Sequence, residues 1–342
     1  MNKPKAQPRN PRLHKAKRTV SIIGTGSYAP ERILTNADLE KMVETSDEWI
    51  LTRTGIRERR IAAEGEYTST MAANAARRAM EQAGVAAEEI DLIIVATVTP
   101  DMAFPSTACF VQKAIGARNA ACFDVSAACA GFLYALEIAQ QFITSHTHDT
   151  ILIVGAEKLS GIVDWTDRNT CVLFGDGAGA AILRNRENSH GIVATHMGAN
   201  ADHTDILTLP GGGCRYPITA QNLDQRLNTI KMAGKEVYKQ AVNAMLAAAQ
   251  TALEEAGLEP DDLACIIPHQ ANVRIIEAIA QRINVPMERF VINLDRYGNT
   301  SAAAVAIALD EANRTGRMKE GDYVLLVAFG GGLTWASSVI QW

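Results

Sequence analysis

The segment ACFDVSAACAGF, residues 121–132, contains a cysteine where a strand pattern gives way to a helix pattern. It begins as a short apolar β run at 122–125, breaks at small residues, and enters an amphipathic helical pattern over 133–139. A strand that turns into a helix places Cys129 near a helix N-terminus, where unpaired backbone N–H groups and the helix dipole favour a negative charge. We therefore expect the Cys129 thiol to ionise more readily than a free cysteine and to be a nucleophile. The alternative is that Cys129 is a small buried hydrophobic residue.

The composition is that of a globular chain with more than one core. The 342 residues exceed what one ordinary core accommodates, and 47% hydrophobic with 21% charged residues is normal for a soluble protein. A net charge of −5 argues against a nucleic-acid surface, and the lack of a long apolar run predicts no membrane span. Six cysteines are spread singly, without CxxC pairs. This spacing fits neither a zinc site nor a disulfide framework and indicates a reducing, cytoplasmic compartment.

Residues 1–18 form a separate basic segment. It contains seven lysines and arginines, no acidic residue and no apolar periodicity, which is typical of a disordered tail. It lacks the apolar core of a secretory signal. A transit peptide is an alternative that the absence of serine weakens. A nucleic-acid contact made by this tail is a further alternative.

An internal repeat organises the rest of the chain. Residues 78–94 read RAMEQAGVAAEEIDLII and residues 251–267 read TALEEAGLEPDDLACII. Each copy is a helix end, an Ala-Gly stop, an acidic linker and an apolar strand. We therefore predict an α/β fold of two pseudo-twofold-related halves, residues 19–190 and 191–342, whose loops meet at one site.

The second half supplies further candidate residues. His269 follows the apolar strand 264–267, and Asn299 occupies the turn that corresponds to the Cys129 turn. Glycines 330–332 can present bare N–H groups to a developing oxyanion. Taken alone, these features fit a core histidine, a left-handed turn residue and a tight loop. Their symmetry-related positions favour a shared site. The GxG at 24–26 is a weak dinucleotide signal, because the third glycine of that motif is missing.

These motifs carry a family resemblance. From Thr19 to Trp342 the sequence resembles the β-ketoacyl-acyl-carrier-protein synthase III family of condensing enzymes, which have the thiolase fold. The matching stretches stand in order and at matching distances: IGTGSY (23–28), TSDEWILTRTGIRER (45–59), 124–132, 174–181, PHQANVR (268–274), GNTS (298–301) and AFGGGLTW (328–335).

The resemblance implies a five-layered α-β-α-β-α homodimer with a Cys-His-Asn site, here Cys129, His269 and Asn299. It implies that Cys129 accepts the acyl group of acetyl-CoA or another short acyl-CoA. Malonyl-acyl carrier protein then loses CO2, and the resulting enolate attacks that acyl group. His269 and Asn299 would donate hydrogen bonds to the enolate oxygen, and the backbone N–H groups of Cys129 and Gly331 would hold the oxyanion. No metal and no redox cofactor is implied, since the CoA thioester is a substrate.

The resemblance also implies contacts with the substrates. An indole face and guanidinium groups suit a purine and phosphates, and a basic patch suits an acidic carrier protein. Phe104 is expected to reach across the dimer into the partner's acyl pocket. The implied residues are Trp49, Arg53, Arg168 and Asn272 for CoA, Lys239, Arg274 and Arg282 for the carrier protein, and Phe104 and Phe329 for the acyl pocket.

Related functions make different demands on the sequence. A thiolase would have a second catalytic cysteine near the last glycine-rich loop, and none stands between Gly330 and Trp342. An elongating synthase would have a histidine in place of Asn299. A starter enzyme or acyltransferase of secondary metabolism keeps a similar triad and is the alternative. The intact triad argues against a catalytically silent scaffold.

Overall fold

The structure is a computed structural model that describes residues 18–186 and 190–342. The predicted basic tail lies outside these residues except for Arg18. The Arg18 guanidinium forms an ion pair with Asp149 at 2.5 Å and donates hydrogen bonds to the carbonyls of Ile143 and His148. Arg18 therefore belongs to the folded part of the chain and not to the tail in which we placed it. The predicted boundary between the halves at residue 190 stays a prediction.

The described residues alternate between strands and helices. The strands are β1 (Val20–Tyr28), β2 (Arg32–Thr35), β3 (Glu58–Ile61), β4 (Leu92–Ala96), β5 (Ala121–Val125), β6 (Thr150–Lys158), β7 (Asp176–Asn185), β8 (Ile192–Ala199), β9 (Leu207–Thr208), β10 (Lys231–Met232), β11 (Leu263–Pro268), β12 (Tyr323–Gly330) and β13 (Thr334–Gln341). The helices are α1 (Asn36–Leu39), α2 (Asp47–Thr54), α3 (Thr68–Ala83), α4 (Thr107–Ile115), α5 (Gly131–Thr144), α6 (Arg168–Cys171), α7 (Gly234–Ala256), α8 (Val273–Ile283), α9 (Leu294–Tyr297) and α10 (Ala303–Arg314).

The two large sheets repeat one topology. The first has the strand order β1-β7-β6-β4-β5 and the second has the order β8-β13-β12-β11. Corresponding pairs run in the same direction: β1 with β7 and β8 with β13 are antiparallel, whereas β4 with β6 and β11 with β12 are parallel. A parallel bridge between Ile266 and Phe290 stands where β5 joins the first sheet. The predicted duplication is confirmed.

The helices complete five layers. Helices α3 and α4 cover the outer face of the first sheet, and α7 and α8 cover the outer face of the second. Between the sheets lie α5 and α10, whose apolar side chains share one core with both. Each half thus contributes one helix to the middle layer. The predicted α-β-α-β-α arrangement is confirmed.

Glycines allow the middle layer to pack closely on the first sheet. A Cβ atom at Gly155 in β6 would overlap the carbonyl oxygen of Ala302, and one at Gly179 in β7 would lie 2.5 Å from the Cβ of Ala306. The start of α10 can therefore approach the first half. The GxG of β1 also allows close packing, here of an outer helix on the sheet, because a Cβ at Gly24 would lie 2.6 Å from the carbonyl oxygen of Ala79 in α3.

Two local features bear on the elements around the site. Helix α1 is capped by Thr35, whose hydroxyl accepts the N–H of Asp38 at 3.2 Å. The neighbouring Asn36 side chain is buried and donates to Asp47 and to the carbonyl of Ile56. In the second half, the counterpart of β5 is limited to the bridge at Phe290, and α9 begins soon after it, at Leu294.

Candidate active site

Cys129 lies in a single helical turn between β5 and α5. The turn spans Ala128–Ala130, and Ala128 adopts the left-handed conformation with φ at 45°. The second half closes over this turn from the loop after β12: a Cβ at Gly330 would lie only 2.5 Å from the backbone nitrogen of Cys129. The thiol is 7% exposed. The predicted strand–turn–helix placement is therefore observed, with little space around the sulfur.

The ionisation of Cys129 differs from our expectation. Burial raises the pKa of the thiol from 9.0 to about 12; a hydrogen bond with Ser301 lowers this pKa, and the nearby Glu157 raises it. The rise corresponds to roughly 4 kcal/mol, whereas a helix N-terminus supplies about 0.3–1 kcal/mol. Loss of water therefore outweighs the dipole. The expectation of an easily ionised thiol is wrong for the protein without substrate, in which Cys129 is a neutral thiol.

His269 follows β11 directly and is held by its backbone. Its N–H donates to the carbonyl of Val327 at 2.8 Å, which fixes the residue at the carboxyl end of the second sheet. The side chain is 3% exposed, and burial lowers its pKa to about 4, so the ring is neutral at neutral pH. Within the described residues, Nδ1 has no hydrogen-bond partner.

Gln270, which we did not predict as a site residue, holds the turn that carries His269. This buried amide donates to the carbonyls of Pro268 and Val291 at 2.8 and 3.0 Å and accepts the N–H of Asn293 at 3.0 Å. It therefore ties the end of β11 to the segment that leads to Asn299. Its position next to His269 was the signal that could have identified it.

Asn299 is oriented by neighbours on both sides. Its backbone pairs with the first half, since its N–H donates to Leu173 at 2.8 Å and its carbonyl accepts the N–H of Gly175 at 3.0 Å. The side-chain oxygen accepts the N–H of Ser301 at 2.8 Å. In the part of the chain that the structure describes, Nδ2 donates to no acceptor. The amide therefore keeps a free donor.

One cavity joins the three candidate residues. Cys129, His269 and Asn299 line a space of about 170 Å³, together with Phe329 and apolar residues of α7 and α8. The remainder of the wall is largely apolar, so the cavity is a poor place for an isolated charge. His269 and Asn299, which follow Cys129 in the chain by 140 and 170 positions, thus line the same space as its sulfur. Both contribute neutral hydrogen-bonding groups.

A second cavity of about 340 Å³ opens on another side of Cys129. Gly331 and Ser301 line it beside Cys129. The predicted oxyanion residues, Cys129 and Gly331, therefore border the same space. Its apolar wall comes from side chains of both halves, namely Val98, Leu159, Ile162, Phe174, Leu207, Leu209 and Ile230. Phe329, which we assigned to the acyl pocket, lines only the first cavity among these two.

The residues expected to contact the nucleotide lie together. The guanidinium carbons of Arg53 and Arg168 lie 4.8 and 5.2 Å from the ring centre of Trp49. Arg168 also donates to the carbonyl of Glu44 at 2.8 Å. Asn272 is nearer the thiol: it lines the first cavity, and its side chain caps α8 by accepting the N–H of Arg274 at 2.9 Å.

The residues expected to face the carrier protein are exposed on the neighbouring helices. Lys239 lies on α7, and Arg274 and Arg282 lie on α8. Within residues 18–186 and 190–342 none of the three pairs with a carboxylate. Tyr238 on α7 and Asn272, the N-cap of α8, line the first cavity. Lys239 and Arg274 therefore lie within two residues of its wall along the chain, whereas Arg282 is near the other end of α8 and donates to Asn243 Oδ1 at 3.1 Å.

Phe104 lines neither of these two cavities in its own chain. Its side chain is 83% exposed in the loop before α4, beside Met102, which is 48% exposed. The loop is near β5, whose only strand partner among the described residues is β4. One edge of the first sheet is therefore open, with apolar side chains next to it.

A larger cavity of about 960 Å³ between α3 and α10 has a different character. Two of its four arginines form ion pairs, Arg296 with Glu311 at 2.9 Å and Arg314 with Asp310 at 2.8 Å. The other two, Arg78 and Arg317, donate to backbone carbonyls. It contains none of the candidate residues. Within the described chain, no group of three or more potential ligands could hold a metal ion, and no helix is both long and apolar enough to cross a bilayer.

Comparison with known proteins identifies the family. Two family models match: 3-oxoacyl-[acyl-carrier-protein] synthase III over residues 123–201, and the C-terminal part of the same synthase over residues 253–342. A β-ketoacyl-[acyl-carrier-protein] synthase III of Caldanaerobacter subterraneus is 57% identical over 321 residues, covering 94% of this chain and 97% of the relative.

Solved structures agree. The 3-oxoacyl-[acyl-carrier-protein] synthase III of Aquifex aeolicus has a TM-score of 0.88 and 49% identity, covering 94% of this chain and all of its own. A priming β-ketosynthase of the R1128 polyketide pathway has the same TM-score at only 38% identity, covering 95% and 97%. The alternative in secondary metabolism is therefore not favoured. The chain belongs to the β-ketoacyl-[acyl-carrier-protein] synthase III family of condensing acyltransferases.

Proposed function

We propose that the chain condenses an acyl group from acyl-CoA with malonyl-acyl carrier protein, giving a 3-oxoacyl-acyl carrier protein, CoA and CO2. With an acetyl primer the product is acetoacetyl-acyl carrier protein, and the reaction initiates type II fatty-acid synthesis. The observation that carries the proposal is the cavity shared by Cys129, His269 and Asn299. A nucleophile and two neutral hydrogen-bonding groups in one apolar space suit acyl transfer followed by formation of an enolate.

In the first step the Cys129 sulfur attacks the thioester carbonyl. The resting thiol is neutral, so its proton leaves as the C–S bond forms and ends on the departing CoA sulfur. The backbone N–H groups of Cys129 and Gly331 hold the carbonyl oxygen while it carries negative charge. The products are the acyl-enzyme thioester and free CoA, and no net charge remains in the buried site.

In the second step the malonyl carboxylate leaves as CO2 and its bonding electrons form the enolate. The neutral His269 ring and the Asn299 amide donate hydrogen bonds to the enolate oxygen. Asn299 is suited to this role because Ser301 occupies its acceptor end and leaves Nδ2 free. The enolate carbon then attacks the acyl group, and Cys129 departs and takes up one proton from solvent.

We assign the two cavities to the two ends of the thioester. The first, beneath α7 and α8, receives the pantetheine arm, with the nucleotide at Trp49, Arg53 and Arg168 and the carrier protein at Lys239, Arg274 and Arg282. Asn272 lies along the arm. The second cavity, with its apolar wall, receives the acyl chain. Its volume of about 340 Å³ exceeds what an acetyl group fills, so short unbranched and branched primers are both expected to enter.

We also propose that the protein forms a homodimer through the open edge of β5. An exposed strand edge is a template for pairing with a second strand, and exposed apolar residues at its side favour burial. Phe104, from the adjoining loop, would then reach the partner's acyl cavity and limit chain length. Sedimentation that returned the mass of one chain, 36.8 kDa, would remove this part of the proposal.

The test is covalent labelling by radioactive acetyl-CoA. The protein is expected to retain label after denaturation, and Cys129→Ser and Cys129→Ala are expected to lose it. Cys214→Ala, which removes an exposed thiol, is the matched control and should keep it. A series of acetyl-, butyryl-, isobutyryl- and octanoyl-CoA then ranks the primers. Label that survives in both Cys129 variants would refute the assignment of the nucleophile.

A further inference from the structure

Two cysteine side chains that the mechanism leaves unused are in contact on the outer face of the first sheet. Cys109 lies on α4 and Cys122 lies on β5. Their sulfur atoms are 3.5 Å apart, and the Cys122 thiol donates to the Cys109 sulfur. Both side chains are partly exposed, whereas Cys129, Cys171 and Cys265 are buried. The two residues stand 13 positions apart in the chain, so their spacing gave no sign of a pair.

Hydrogen bonds on either side of the two thiols hold α4 against β5. The Asp124 carboxylate accepts two backbone N–H groups at the start of α4, at 2.6 and 2.8 Å. Near the other end of the helix, Gln112 Nε2 donates to the carbonyl of Ala120 at 2.8 Å. Cys109 and Cys122 face each other between these two connections. Because an S–S bond is about 2.05 Å long, each sulfur needs to move by less than about 1 Å toward the other.

The Cys122 side chain points beneath α4 and not along the open edge of the sheet. Successive residues of a strand point to opposite faces. Cys122 packs with apolar side chains of the outer layer, whereas Phe123 and Val125 pack with the core of the middle layer. A second strand at the β5 edge would pair through backbone groups. The proposed dimer is therefore compatible with contact between the two thiols.

We propose that Cys109 and Cys122 form a reversible disulfide with hydrogen peroxide as oxidant, and that this bond fastens α4 to β5. The Ser106 hydroxyl lies 3.2 Å from the Cys109 sulfur, so this sulfur has two polar neighbours. Burial, followed by the hydrogen bond to Cys109, raises the pKa of Cys122, which keeps its proton at neutral pH. We therefore assign the first attack on peroxide to Cys109 and the second step to Cys122.

The reaction consumes one peroxide and releases two waters. The Cys109 sulfur attacks one peroxide oxygen, the O–O bond breaks, and the departing hydroxide takes the thiol proton to form water. Cys109 is then a sulfenic acid. The Cys122 sulfur attacks the sulfenic sulfur, the S–O bond breaks, and the departing hydroxide takes the Cys122 proton. Two electrons thus pass from the sulfurs to the peroxide, and a dithiol such as dithiothreitol reverses the bond.

The bond lies close to the loop that carries Phe104. Helix α4 begins at Thr107, three residues after Phe104. A cross-link between α4 and β5 restricts the local opening in which the helix separates from the strand. The oxidised protein should therefore hold α4 and the adjoining loop more firmly at the open edge of the sheet. This effect is separate from acyl transfer, in which neither thiol takes part.

The experiment treats the reduced full-length protein with hydrogen peroxide, blocks the remaining thiols with N-ethylmaleimide, and digests it with trypsin and chymotrypsin without reductant. Cleavage after Lys113 separates the two cysteines, and cleavage after Phe123 separates Cys122 from Cys129. We expect mass spectrometry to find the peptides of Cys109 and Cys122 linked, two hydrogens lighter than their sum. Dithiothreitol should release them.

Variants with one cysteine removed test the pair and the order of attack. In Cys122→Ala the sulfenic acid has no partner, so trapping of Cys109 by dimedone should be at least about fivefold greater than in the unmodified protein. In Cys109→Ala, Cys122 should stay available to N-ethylmaleimide. Cys214→Ala, which removes an exposed thiol, is the matched control and should form the same link.

Hydrogen exchange measures how firmly α4 is held. Amides of α4 should exchange at least about threefold more slowly in the oxidised protein than in the reduced protein, whereas amides of α8 should not change. Absence of the linked peptides while Cys214 is oxidised would overturn the disulfide. Equal exchange of α4 in the two forms would overturn its effect on the helix, and dimedone trapping at Cys122 instead of Cys109 would overturn the order of attack. No acyl donor is used, so the result is independent of labelling by acetyl-CoA.

Discussion

At the scale of single residues, the two atoms of the Asn299 side-chain amide differ. Its oxygen accepts a hydrogen bond from Ser301, whereas its nitrogen has no acceptor among the described residues. In Asn299→Asp the side chain still accepts the Ser301 N–H, but the donor is replaced by an oxygen that repels an enolate. We expect release of CO2 from malonyl-acyl carrier protein to fall about 10²–10³-fold, while labelling by acetyl-CoA persists. Radioactive CO2 and acyl-enzyme are measured in the same preparation.

The control for this prediction is Asn284→Asp, an exposed residue at the end of α8 that adopts φ of 56°. Asn and Asp both tolerate this conformation, so CO2 release should stay near that of the unmodified protein. If Asn299→Asp instead lost labelling and kept CO2 release, Asn299 would belong to the first step.

The sequence identified some residues of the site and missed others. Cys129, His269 and Asn299 follow strands or occupy turns in the two copies of a repeat, so motif and position both indicated them. Glu157 and Ser301 stand within an apolar strand and a short turn, where one polar residue produces no periodic signal. The ionisation of Cys129 was predicted in the wrong direction, because the degree of burial depends on both halves and is invisible in one stretch.

At the scale of elements, a buried arginine joins the small sheet to the site. Arg59, in β3, has no exposed surface; it donates to Leu34 O at 3.1 Å, to Asn36 Oδ1 at 3.0 Å and to Val172 O at 2.7 Å. Val172 directly precedes the segment that pairs with Asn299. In the sequence this arginine lies in a basic run that gives no indication of its burial.

Arg59→Met removes three hydrogen bonds to buried acceptors. Each unsatisfied buried group costs about 1–3 kcal/mol, so we expect the free energy of unfolding to fall by roughly 3 kcal/mol or more. Denaturant titration followed by circular dichroism measures the change. Arg60→Ala, at the next position, loses an ion pair with Glu58 at 3.7 Å, a hydrogen bond to the carbonyl of Pro30 at 3.4 Å and a cation–π contact with Tyr297 at 5.9 Å. Because these contacts are weak and partly exposed, the free energy of unfolding should change by only about 1 kcal/mol. Equal effects of the two substitutions would disprove a special role for Arg59.

At the scale of the whole molecule, the repeat predicted the two halves correctly but not how closely they pack. The copies at 78–94 and 251–267 became α3 with β4 and α7 with β11, as helix-stop and strand patterns predicted. The resemblance supplied the number of layers. The contacts between layers depend on small residues such as Gly155 and Ala302, whose importance appears only when distant segments meet.

Substitution of Gly155 tests its contact with Ala302. In Gly155→Ala the added methyl group would overlap the carbonyl oxygen of Ala302, at the start of α10 and three residues after Asn299. The backbone on one side must move, so the second half shifts relative to Cys129. Overpacking of this kind costs about 1–3 kcal/mol, and small displacements of reacting groups reduce rates strongly. We therefore expect a lower melting temperature together with loss of CO2 release. Gly161→Ala, which meets no atom within 4 Å, should leave both unchanged. A Gly155→Ala protein that melted and reacted like the unmodified one would show that this contact does not set the distance between the halves.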